Sequence, residues 1–154
     1  MARRGSGDTY GAGAAAIDEW IANIRSLPEM LNAAAPQIGQ AILAEFQRTA
    51  AAGTTPEGEP WAPTKKGGRA LKNAAESMSL VVSDNVIIIK ITDHHVFHQF
   101  GAGVVARRII PSGGLPDRLG NAIRLGIVDM GVEWMTRGGS HAGKSAVKWQ
   151  PGGG

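Results

Sequence analysis

An α+β domain, with helices on both sides of a β-hairpin, is what this 154-residue sequence predicts, and three observations carry it. Two β-branched runs, Met78 to Ser83 and Val86 to Thr92, are separated by the turn pair Asp84-Asn85, the spacing of a tight hairpin. Apolar residues recur every three or four positions before the hairpin, from Ile17 to Phe46, and after it, from Leu119 to Trp134. That is the period of helices with one buried face. Glycine and proline crowd into residues 1–13, 53–68 and 138–154, which marks two arms and one internal loop on a single domain at 14–137.

Residues 1–13, MARRGSGDTYGAG, have almost nothing to bury, and a flexible N-terminal arm is expected there. From Ala14 onward, Ile17, Trp20, Ile21 and Ile24 share one face of an amphipathic helix that stops before Pro28. A longer helix follows, with Leu31, Ala35, Ile38, Ile42 and Phe46 as its stripe and Pro36 near its start or at a kink. This long helix is expected to cover a small antiparallel sheet.

Gly53 to Gly68 holds three prolines and four glycines, which precludes regular structure over most of its length. Trp61, held between Pro60 and Pro63, suits an anchor that pins the loop to its own domain, or otherwise a platform for a ligand. Arg69 to Ser77 is compatible with a helix, and the hairpin comes next. Its second strand reads as well buried and near the middle of the sheet. Asp93 is placed to cap a short helical turn, His94 to Phe100, that ends at Gly101. The arginine-bearing stretch Val104 to Ile110 then reads as a further strand at an edge.

Pro116 and Asp117 start a C-terminal helix that runs to about Arg137, with Leu119, Ile123, Ile127, Met130 and Trp134 on its buried face. Gly120, Gly126 and Gly131 each cost this helix about 1 kcal/mol relative to alanine, so close packing against a neighbour or the sheet has to compensate. Residues 138–154 form a Gly-rich tail whose lone apolar anchor is Trp149.

Composition narrows the function. The absence of cysteine excludes disulfides, thiolate metal sites and cysteine nucleophiles. No run approaches the ~20 apolar residues of a membrane helix, and no membrane association is expected. A net charge of +3 is mildly basic, well short of the field of a dedicated nucleic-acid binder.

Three patterns invite a chemical reading. Gly138 to Ser145 fits the phosphate-loop pattern through Gly138, Gly143, Lys144 and Ser145, but that motif needs a buried strand before it and a helix after it. Here a helix precedes it and nine residues follow, so it reads as a chance match and no cofactor is expected. His94, His95 and His98 lack the glutamate of a zinc hydrolase and a clear fourth ligand, so no metal site is expected either. No catalytic triad or acid pair is evident, and the chain does not read as an enzyme. Arg107-Arg108 and Lys65-Lys66 suit solubility and edge protection, or contact with phosphate or an acidic partner.

The order of signals carries more than any one of them. A long helix ends in Phe46; the loop Pro56 to Pro63 has the form P-x-G-x-P-W-x-P; a hairpin leads to Phe97-His98-Gln99-Phe100-Gly101 and then Ala106-Arg107-Arg108-Ile109-Ile110-Pro111. Over roughly residues 14–134 this order resembles the virion morphogenesis family of tailed bacteriophages, the small tail-completion or head–tail joining proteins of the neck. Its most specific pieces are Glu59 to Pro63, and His98 to Gly101 followed by Arg107. The resemblance implies an α+β domain whose antiparallel sheet is covered by helices, acting as a structural subunit in a homo-oligomeric ring at the junction of tail and capsid. It implies a place in the virion, with assembly in the host cytoplasm, contact with other neck and tail proteins, and DNA passing through the lumen. Trp61, Phe97, Phe100, Arg107, Arg108 and Trp149 are then the candidate partner-interface residues. The alternative is a small basic nucleic-acid-binding module using Arg3, Arg4, Lys65, Lys66, Arg107 and Arg108.

Overall fold

Helix α2 (Leu27–Ala52) is the element on which the others pack. Its periodic apolar positions bury Met30, Ala34, Ala35, Ile38, Ile42, Leu43, Phe46 and Ala50 along one face. Pro28 sits in its first turn, where a missing N–H costs nothing. Gly53, in the left-handed conformation at φ 76°, ends it by donating to the carbonyls of the last turn. The computed structural model describes residues 8–92 and 94–136, with the side chains of 8–12 outside that description. Among them the order is α1 (Asp8–Arg25), α2, β1 (Met78–Ser83), β2 (Val86–Ile91), α3 (His95–Phe100) and α4 (Asp117–Thr136). The architecture is the α+β one expected, a small antiparallel hairpin combined with a long N-terminal and a C-terminal helix.

The strands β1 and β2 pair antiparallel from Met78–Ile91 to Ser83–Val86, joined by the two-residue turn Asp84-Asn85. Asp84 takes φ 52°, the left-handed value such a turn needs, which aspartate tolerates. Met78, Leu80, Ile87, Ile89 and Ile91 face α2 and the core. At the crossing a Cβ on Gly39 would lie 2.9 Å from Leu80 Cδ1, so helix and hairpin pack closely there and a side chain at this position has to push back the movable end of Leu80.

Several expectations need correction. Among the described residues the sheet has two strands, so β2 is not central; Val81, Val86 and Ile88 stay exposed on its outer face, and the run is buried on one side only. Val104 to Ile110 forms no strand, and residues 69–77 form turns rather than a helix. Helix α1 starts at Asp8, so residues 8–13 of the expected arm are helical. Asp93, residues 1–7 and residues 137–154 lie outside the described residues, and with them the expected cap, the phosphate-loop match and Trp149.

Helix α4 buries Ile123, Met130 and Trp134 against α2, with Leu119 and Ile127 partly buried beside them, as the periodicity predicts. The corner between α1 and α2 is fixed to it. Trp134 Nε1 donates to Ser26 Oγ at 2.7 Å, Ser26 Oγ donates to Asn23 O at 2.8 Å, and Asn23 Nδ2 donates to Met135 O at 3.3 Å. Only the last turn of α1 is held this way, and its predicted stripe stays open: Ile17, Trp20, Ile21 and Ile24 are all exposed, Trp20 by 59%.

Candidate functional site

Arg107 and Gln99 build the region in which the most specific sequence pieces meet. Gly101, at φ 70°, ends α3 and turns the chain back along it, so that Arg107 N donates to His98 O at 2.8 Å. Gln99 is buried and takes the place of a partner strand for the segment that follows. Its Oε1 accepts from Ile109 N at 2.7 Å and Ile110 N at 3.0 Å, while its Nε2 donates to Ile110 O at 2.8 Å. The β-branched stretch is thereby satisfied without a ladder, and Ile109 enters the core fully buried.

Arg107 closes the region from the other side. It is 7% exposed; its Nε donates to Ala62 O at 2.9 Å and its Nη2 to Pro63 O at 3.1 Å, so the guanidinium fork holds the Trp61 loop. His98 Nδ1 lies 3.1 Å from Val105 O and 3.3 Å from Arg107 Nη1, and the ring's tautomer decides which of the two it serves. Trp61 Nε1 donates to Arg108 O at 2.9 Å, and Trp61 N to Gly53 O at 2.8 Å. The two motif pieces, Glu59 to Pro63 and His98 to Gly101 with Arg107, therefore form one hydrogen-bonded interlock.

Of the candidate interface residues, this interlock absorbs Trp61 and Arg107. Trp61 anchors its own loop, the first of the two roles its position allows. Arg107 is not at a strand edge, and its donors face the chain's own carbonyls rather than a partner or a phosphate. Arg108 remains at the surface, with Nη2 3.9 Å from Glu57 Oε2 and Nη1 donating to Ser112 Oγ at 3.4 Å. Of the six cations of a nucleic-acid module, Arg107 is interior and Arg108 sits beside a carboxylate, while Arg3 and Arg4 lie outside the described residues.

Phe97 and Phe100 point away from the interlock. Phe100 is 76% exposed, and Val96, Phe97, Val104 and Val105 in the same stretch of chain are exposed as well. His94 stacks near His95 at 4.1 Å between ring centroids and meets His98 edge-on at 6.4 Å, yet no three such side chains among the described residues could hold a metal ion. No helix of the described residues is long and apolar enough to cross a membrane.

Sequence reasoning missed two features. Gln99 was part of a motif without a role, and only the fold shows what its amide pairs with. Leu125, Val128 and Val132 form a second stripe on the solvent side of α4. Its three- and four-residue spacing was visible, since α4 is apolar on opposite faces. No family model, curated protein or solved structure matches the chain.

Proposed function

We propose that this chain is a structural subunit of a tailed-phage virion, a tail-completion or head–tail joining protein that assembles with copies of itself as a ring at the tail–capsid junction. The observation that carries the reading is the order of the apolar surface left open. Ile17, Trp20, Ile21 and Ile24 line α1; Phe97 and Phe100 cap α3; Leu125, Val128 and Val132 line the outside of α4; Val81, Val86 and Ile88 pave the outer face of the hairpin. Contiguous apolar stripes of this kind mark surfaces that meet another protein. Four of them around one small domain suit a subunit with neighbours on several sides: copies of itself around the ring, and other neck or tail proteins above and below.

The interlock supports the same reading. The residues that carry the resemblance act structurally, tying the Trp61 loop to the segment after α3, which is how a motif shared by subunits rather than by enzymes would work. Electron microscopy of the purified full chain and gold labelling of tailed particles test the proposal. Annular particles and label at the neck are expected. Tailed particles that lack the chain, or carry it away from the neck, would overturn it.

A further inference from the structure

Building on the reading of the chain as a self-assembling subunit, we infer that neighbouring copies meet through α1 of one and the outer face of α4 of the next, with Trp20 seated in a notch at Gly131. The two surfaces match in form. The α1 stripe runs from Ile17 to Ile24 and the α4 stripe from Leu125 to Val132, each seven residue steps, or about 10.5 Å of helix. Leu125, Val128, Val132, Ile17 and Trp20 are each about 60% exposed, and Ile21 and Ile24 about 40%. Together they offer on the order of 750 Å² of apolar surface, which matches the apolar share of an interface at the small end of the stable range, ~1,200 Å² in total.

Gly131 supplies the second argument. Among the described residues a Cβ there would meet nothing within 4 Å, so none of them requires a glycine in the middle of α4. Glycine is a poor helix residue, and no described residue supplies the compensation expected from close packing. A close approach by another copy provides it. Gly131 lies one turn from Val128 and next to Val132 in sequence, so the gap opens on the flank of the two valines, and Trp20 is the largest side chain on the opposing stripe. Arg124 and Asp129 flank the α4 stripe on its two sides and Asp18 borders the α1 stripe, so charge favours the docking that sets Asp18 beside Arg124; neither Asp18 nor Arg124 has an ion-pair partner among the described residues.

The contact joins two different patches, so it is heterologous: each copy receives one α1 and gives another, which propagates around a ring instead of stopping at a dimer. The Phe97–Phe100 patch stays free for a partner of another kind.

The chain has no cysteine, so single-cysteine variants of the full chain report the contact cleanly. Ile21→Cys and Val128→Cys, both at exposed positions, are oxidised separately and mixed, and read on a non-reducing gel. A disulfide-linked dimer in the mixture and none in either variant alone is expected. In parallel, Gly131→Leu should raise the concentration for half-assembly at least tenfold with an unchanged circular dichroism spectrum, and Trp20→Ala should do the same. If the unmodified chain is multimeric but each variant links only to itself, or none links, the α1–α4 contact is wrong and the assembling-subunit reading stands. If the unmodified chain is monomeric throughout, both fall.

Discussion

Gln99→Ala removes the one side chain that stands in for a missing strand, and its cost follows from the atoms it leaves behind. Ile109 N–H, buried and bonded only to Gln99 Oε1, loses its acceptor at a cost of about 1–3 kcal/mol. Ile110 is half-buried, so water can reach its N–H and C=O, and those two bonds add about 1 kcal/mol between them. A loss near 3 kcal/mol is a large part of the ~5–15 kcal/mol that holds a domain of this size together. With a urea slope of ~2 kcal/mol/M it moves the unfolding midpoint down by ~1.5 M, read by far-ultraviolet circular dichroism. Gln47→Ala is the control. Gln47 makes one 3.2 Å bond to Ala75 O at a partly open site, and its loss should stay under about 1 kcal/mol. If Gln99→Ala costs no more than Gln47→Ala, the stand-in role is wrong.

Three further outcomes follow from the same geometry. Gly39→Ala should be near neutral, because a helix gain of about 1 kcal/mol offsets a push on the movable end of Leu80, whereas Gly39→Val should cost about 2 kcal/mol in urea unfolding by driving a branched side chain into Leu80 and Ile87. Arg107→Lys keeps the charge but cannot reach Ala62 O and Pro63 O together; a loss of about 2 kcal/mol and faster tryptic cleavage at Lys65 and Lys66 are expected. The Arg48 guanidinium, donating to both carboxylate oxygens of Glu45, holds that carboxyl below its ordinary range. A depressed folded value means the contribution is present above the unfolded value, near pH ~4.3, and is lost as pH falls through the folded one. For this surface pair it is at most ~0.5 kcal/mol, so Glu45→Gln should flatten the acid limb of the stability profile by about that much.

Where the chain decides locally, the sequence was readable. The hairpin followed from two β-branched runs around Asp84-Asn85, α2 and α4 from apolar residues at one period, and the end of α3 from Gly101. What escaped depends on partners distant in sequence. Val104 to Ile110 has strand composition, but an amide side chain, not a neighbouring strand, satisfies its backbone at Ile109 and Ile110. Arg107 looked like surface charge because its acceptors are backbone carbonyls 44 and 45 residues away, which leave no mark in a sequence pattern. For the α1 stripe, periodicity records that a face is to be covered, and not by which chain.

On the proposed reading, these open stripes are covered by other copies of the chain. Sedimentation of the full chain over a broad concentration range is the decisive measurement. The 16.0 kDa subunit is expected to give way to a species of fixed, several-fold larger mass that stops growing as concentration rises, the mark of a closed ring. A subunit mass that stays at 16.0 kDa across the whole range, with α1 folded and its stripe still open to solvent, would contradict it.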